Sequence, residues 1–362
     1  MKQISLILII LVFFSCNKEN KTLLSIDVTH DIVAPKHYIV TKTNEVLKID
    51  GIADELSWKS ALFTDNFIDI EGVKMPKFDT KIKMLWDDDY LYVYSEMEEP
   101  HIWGNLKQRD TIIFYNNDFE VFLDPSGKGE TYGEIEINTL NTIWDLLLDK
   151  PYRVGGKANF KWNLKNLKSA IHIQGSLNNP KDIDSFWTVE MAITLKPLVD
   201  LKNDPQTFPK EGEQWRINFS RVEWNHEIIN GKYQRKKENN AYLKEYNWVW
   251  SNQKVINMHE PEKWGFLQFT EEESSGKVTF IKDKDLQIKQ AIYALFRKTR
   301  FYDLKYLLEN EKDFSKDIEV TYSKEKPLKI TFYKTKSGFE YTLKSSISKK
   351  IYIINEEGIL NQ

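Results

Sequence analysis

Glu134, Glu136 and Asn138 alternate with Ile135 and Ile137 in the run GEIEIN, and Glu120 alternates with Phe119 and Val121 in the run DFEVFLDP. Alternate residues of an extended strand share a face. Phe119, Val121 and Leu123 therefore form one face of the first run, and Glu120, Phe122 and Asp124 the other. Between the runs lies SGKGETYG, where Gly127, Gly129 and Gly133 can supply the positive φ angles of a tight turn. The two runs read as a β-hairpin that brings Glu120, Glu136 and Asn138 to one side. Carboxylates and amides so placed suit sugar hydroxyls, because they accept or donate paired hydrogen bonds and discriminate by geometry. The same alternation also serves a plain solvated face, and both readings stand at this level.

Aromatic and basic residues nearby extend the candidate set. Phe114 and Tyr115 precede the hairpin; Trp144 adjoins Asp145, Trp224 adjoins Glu223 and Asn225, and Trp250 adjoins Ser251. Each ring is either a stacking platform for a sugar or part of a core. Arg221, within NFSRVEW, must be paired if it is buried. It holds either a ligand group or a neighbouring acid, and Arg153 is a weaker candidate at the same rim. Asp87, Asp88 and Asp89 form the tip of a hairpin and leave a structural calcium open as a cofactor. The six histidines lack zinc spacing. Met258 and His259, as neighbours on a strand, would face opposite ways and could not hold one haem iron from the same side. No nucleophile elbow, phosphate loop or triad signature appears, so no catalytic residue is assigned. Two acids from the set Glu120, Glu136 and Asp145 would nevertheless suffice for a glycosidase at the correct separation.

These residues need a scaffold, and the chain reads as mainly β. Aromatics make up 13 % of the 362 residues, which favours pleated, half-buried surfaces. Short strand-like runs separated by Asn, Gly, Pro and Asp turns recur from KIKMLW and YLYVYSE to FWTVEMAITL, QWRINFSRVEW and WGFLQF. They predict an antiparallel two-sheet β-sandwich. LKIDGIADELSWKSA predicts a short strand, a glycine turn and a helical turn carrying Trp58, with His37–Val40 before it as an edge segment. After the linker EEESSGK, Leu286 to Leu308 has helical spacing, and four further strand-like runs follow. The expected division is a signal peptide at 1–16, a tether at 17–44, the sandwich at 45–272 and a small α+β appendage at 273–362. The net charge of −3, with both signs interspersed, gives no nucleic-acid footprint. Lys2, the apolar run Ile4 to Phe14 and Ser15 before the sole cysteine, Cys16, predict a bacterial lipoprotein signal with lipid on Cys16. That places the chain in the cell envelope with a membrane as partner.

The ordered series LKIDGIADELSWKSA, KIKMLWDDDYLYVYSEMEEP, NNDFEVFLDP, SFWTVEMAITLKPL, QWRINFSRV and PEKWGFLQF resembles family 9 carbohydrate-binding modules of the DOMON-like β-sandwich group over residues 45–270. The resemblance implies two packed antiparallel sheets that bind sugar termini at one end, sometimes with structural calcium. It puts the family's acid on Glu120, its amide on Asn138 and its arginine on Glu136, a reversal of charge. Its paired rings fall near Phe114 or Tyr115 and near Met258, so the tryptophan clamp is not reproduced. The expected function is non-catalytic binding of an oligosaccharide or polysaccharide by a cell-envelope lipoprotein. A glycoside hydrolase or its accessory, and a structural lipoprotein with a degenerate sugar site, are the alternatives.

Overall fold

The computed structural model describes residues 23–202, 208–310 and 312–362. The signal peptide, Cys16 and the start of the tether lie outside the described residues. In chain order the main strands are β1 (Leu24–Asp27), β2 (His37–Lys42), β3 (Thr80–Trp86), β4 (Tyr90–Glu98), β5 (Asp118–Asp124), β6 (Tyr132–Asn138), β7 (Ile143–Leu148), β8 (Lys168–Gln174), β9 (Phe186–Thr194), β10 (Gln214–Glu223), β11 (Tyr246–Val249), β12 (Gly265–Thr270), β13 (Phe314–Thr321), β14 (Leu328–Lys334), β15 (Phe339–Lys344) and β16 (Ile351–Asn355). The helices are α1 (Leu56–Ser60), α2 (Leu195–Asp200) and α3 (Leu286–Phe301).

The β-sandwich is a single hydrogen-bonded sheet folded on itself, in the order β8-β9-β4-β3-β2-β12-β10-β5-β6-β7. One layer is β8-β9-β4-β3-β2 and the other β12-β10-β5-β6-β7. The period-two apolar residues meet between them: Val40, Met84, Val93, Val121, Ile137, Val189, Ile217 and Phe269 all belong to one buried cluster. Each such side chain stabilises the fold by about 1.5–3 kcal/mol relative to exposure. Pairing is antiparallel except at β2, which lies parallel to both β12 and β3. His37–Lys42 is thus an interior strand that joins the layers, not an edge. The expected strand in LKIDG does not form, because the Asp50 and Gly51 N–H groups donate to the Glu190 carboxylate instead of to a neighbouring strand. Trp58 docks as expected, fully buried, with its Nε1 donating to Glu190 at 2.9 Å.

The division at residue 273 omits a piece of the N-terminal stretch. Leu24–Asp27 pairs in parallel with β13, so β1 completes a six-stranded sheet with β13–β16 and Leu360–Asn361. Ile26 and Val28 join α3 in the core of that unit. What reads as polar tether in sequence therefore contains a strand, because β13 otherwise has a free edge. Val154, from the sandwich, belongs to the same cluster.

Candidate functional site

Register puts the acids together. In the β5–β6 hairpin Asp118 faces Asn138, Glu120 faces Glu136 and Phe122 faces Glu134. Glu136 faces Trp144 of β7, and Glu120 faces Ser220 of β10. Directly opposed residues lie about 5 Å apart on one face. Gly127 and Gly129 close the turn with φ of +67° and +77°, and their N–H groups donate to Asp124. Gly133 instead lies within β6, beneath Trp162. The acids point away from the sandwich core, so they occupy the outer face of one sheet and not the end of the sandwich.

Over that face lies a cavity of about 260 Å³ lined by Glu120, Glu134, Glu136, Trp144, Tyr152 and His259. Its volume is just below the usual range for ligand pockets, about 300–1,000 Å³, and suits one sugar ring better than several. Trp144 stacks on Phe160, with centroids 5.6 Å apart and planes at 19°, and only 8 % of it is exposed. Its Nε1 has no hydrogen-bond partner. His259 accepts or donates to the Tyr132 hydroxyl at 2.9 Å. Burial, and then the charge of Arg153, lower its pKa to about 4, so it is neutral at pH 7.

No lysine or arginine is paired with Asp118, Glu120 or Glu136 among the described residues. Burial raises these three carboxyl groups and that of Glu134. Asp118 is pushed well up by burial and then by Glu120, and Glu134 by the same two causes. Glu136 is pushed well up by burial and then by Asp118, Glu120 and Glu134. Glu120 rises to about 7 through burial, against a lowering by the Ser220 hydroxyl. That hydroxyl faces Glu120 without reaching the geometry of a formed hydrogen bond. Both carboxylate oxygens of Asp118 are likewise unpartnered. Oxygens of Asp118, Glu120 and Glu136 lie within 4.8 Å of one another.

Of the residues expected from sequence, Glu120, Trp144 and Phe114 line this cavity, as does Met258. Asn138 does not. Its side chain donates to Leu106 O at 2.8 Å and accepts from the Leu140 and Thr142 amides, so it holds loops together beneath the surface. Arg221 has the opposite parity to Ser220 and points between the sheets, where it pairs with Glu99 at 3.0 Å and Glu223 at 2.9 Å. It is fully buried and cannot meet a ligand at the cavity. Trp250 is core, edge-on to Phe219. Arg153 is buried beside Glu260 and Glu262 and is no rim residue. Asp145 faces away from Glu120, pairs with Arg109 and caps Leu164, leaving Glu120 and Glu136 as the acid pair.

Tyr115 borders a separate, wider groove of about 900 Å³, which Trp103, Tyr233 and Tyr242 also flank, whereas Trp224 is buried in a cluster with Trp103, Val222 and Tyr233 and does not line it. Trp224 donates Nε1 to Phe114 O at 2.7 Å. The Arg235 guanidinium lies 4.1–4.6 Å from the rings of Tyr242, Tyr115 and Trp224. Two of the aspartates at 87–89 use their oxygens internally. Asp87 accepts from Asp89 N, Tyr90 N and the Tyr92 hydroxyl, and Asp88 pairs with Lys42 at 2.7 Å. They form the hairpin tip and not a cation cage. Met258 and His259 lie in a loop, not a strand, and both line the cavity, so the opposite-faces argument does not hold for them. Asp118 and Glu134 were missed as site residues although each sits two positions before a residue that was chosen; strict period two points to them.

Residues 49–272 match the model of a family described as carbohydrate family 9 binding domain-like. No curated protein matches the chain. Among solved structures, a carbohydrate binding module family 9 from Caldicellulosiruptor kristjanssonii in complex with cellotriose is 17 % identical, over 68 % of this chain and 100 % of that one, with a TM-score of 0.43. A second from the same organism, in complex with glucose, is 16 % identical over 65 % and 96 %, with a TM-score of 0.42. A Bacteroides uniformis protein is 14 % identical over 65 % and 100 %, with a TM-score of 0.47.

Proposed function

The chain belongs, through residues 49–272, to the carbohydrate family 9 binding domain-like family, and on that premise we propose that it is a cell-envelope lipoprotein that binds a glycan terminus without cleaving it. Family membership supports carbohydrate binding in general. The observation that carries the assignment to one site is the meeting of the Trp144 ring with Glu120, Glu134 and Glu136 in a cavity the size of one sugar. An apolar ring covers the C–H face of a sugar, and carboxylates accept its hydroxyls. The signal ending in Phe14-Ser15-Cys16 supports attachment to a membrane by lipid. Capture of sugars for degradation by other proteins accords with that arrangement.

One geometric fact favours a second reading. Glu120 and Glu136 oppose each other directly, at a separation close to the ~5 Å of retaining glycosidases. Calorimetry with a panel of oligosaccharides, combined with product analysis over days, separates the two. Binding without products supports the module; products formed by wild type and lost in Glu120→Gln identify a hydrolase. Absence of binding to every glycan overturns both and leaves a structural role.

A further inference from the structure

Three carboxylates converge beneath the cavity, and among the described residues no lysine or arginine pairs with them. Asp118, Glu120 and Glu136 come from adjacent strands, and one oxygen of each lies within 4.8 Å of the others. Oxygens that ligate one calcium ion at about 2.3–2.6 Å lie at most about 5 Å apart. The spread therefore matches a single calcium coordination sphere. Magnesium holds its ligands at about 2.0–2.1 Å in strict octahedral geometry and keeps several waters. An all-carboxylate set, with neither histidine nor cysteine among the three, also disfavours zinc and copper.

A second, independent feature points into the same spot. Ser220, directly across from Glu120 on β10, is fully buried, and its Oγ has no hydrogen-bond partner. Leaving a buried hydroxyl unpaired is costly, and native structures avoid it unless something occupies the gap. Both oxygens of Asp118, which is itself fully buried, are unpaired as well. A neutral oxygen across from Glu120 and a carboxylate within reach of Glu120 and Glu136, neither with a formed hydrogen bond, are what a hard cation requires. One oxygen of Glu136 accepts the Phe114 amide at 3.0 Å, which fixes the orientation of that carboxylate.

We propose that Asp118, Glu120 and Glu136, with the Ser220 hydroxyl, hold one calcium-class divalent cation at the floor of the cavity. The ion is not exposed laterally, since β7 and β10 flank the hairpin, but it faces the cavity through Glu120 and Glu136. Calcium takes six to eight oxygens. The protein supplies only part of that number, and the open positions face the bound molecule. Resting on the glycan reading, the consequence is that vicinal sugar hydroxyls complete the sphere, so glycan binding depends on the metal.

The test uses the full chain, expressed without lipidation and stripped with EDTA. Titration with calcium in a calorimeter is expected to give one site per chain, with magnesium weaker. Terbium bound at the same place should luminesce on excitation of tryptophan, because Trp144 directly faces Glu136. Asp118→Asn and Glu136→Gln should each weaken calcium by about ten- to a hundredfold, and Ser220→Ala by less. Circular dichroism of Ser220→Ala, the mildest change, guards against mere misfolding. Absence of calcium binding and of terbium luminescence in stripped wild type overturns the proposal; infrared bands of protonated carboxyl groups at neutral pH would then show protons in the ion's place. If calcium binds but no glycan does, the cation site stands and the glycan reading falls. Glycan binding unaffected by EDTA in a calcium-binding protein would overturn the link between them.

Discussion

Arg297 of α3 donates to the carboxylate of Glu262 at 2.8 Å, and the two side chains are only 7 % and 3 % accessible. Glu262 also takes Arg153 at 2.9 Å, and its backbone oxygen accepts from Gln290 at 2.6 Å. One buried acid of the sandwich thus holds a helix of the second unit.

Removing that charge should loosen the junction. Glu262→Gln leaves two buried guanidinium groups short of a partner, a loss on the order of 3–5 kcal/mol. Chemical denaturation at pH 7 measures it. A loss below about 1 kcal/mol would mean that solvent reaches the pair and compensates.

The same group predicts an acid response. Burial would raise the pKa of Glu262, but the charges of Arg153 and Arg297 prevail and lower it from 4.5 to about 2. Between those values the unfolded chain binds a proton that the native chain does not, so stability falls as pH falls. The gap between wild type and Glu262→Gln should therefore be full above pH 4.5 and shrink towards pH 2. Denaturation midpoints at three acidic pH values decide the matter; a gap that widens in acid contradicts it.

Proteolysis near Glu271–Lys277 should nick the chain without separating its parts, because the Glu262 pairs and β1 tie the two units together. Size-exclusion chromatography of the nicked protein is expected to give one peak. Two peaks would make the appendage an independent domain.

Site and core should separate by mutation. Trp144→Ala is expected to cost binding about 1–3 kcal/mol, or ten- to a hundredfold, together with stability, because the ring is also buried in one cluster with Phe122, Leu146 and Trp264. Arg221→Ala should cost about 3–5 kcal/mol of stability by stranding Glu99 and Glu223 and leave the cavity's binding groups in place. Trp250→Ala should likewise cost about 3–5 kcal/mol of stability. If Arg221→Ala abolished binding while the fold kept its stability, the ion pair would be no mere packing element.

Cys16→Ala should release the protein from membranes, since the anchor reading rests on that sole cysteine after an apolar run. Fractionation of cells that express each form gives the answer. Equal membrane retention would refute the anchor.

Periodicity by itself determined which residues share a face. Phe119, Val121 and Leu123 enter the core, Glu120 and Glu136 leave it on the same side, and the helix at Leu286–Phe301 lies where the spacing predicts. Those features are local, set by a side-chain period of two or 3.6 and by turn residues, and one sequence carries them in full. The family series was legible for the same reason, as ordered local blocks. Asp118 and Glu134 were equally legible by parity, and only the choice of residues passed them over.

Tertiary structure alone decided the rest. Trp144, Trp224 and Trp250 have similar polar neighbours in sequence, yet one lines the cavity, one lies under Arg235 and one is core. Arg221 needed a partner, and that partner includes Glu99, 122 positions away. β1 finds β13 across nearly the whole chain. Burial and pairing at such separations depend on how layers stack and which edges remain free, and no local pattern encodes them.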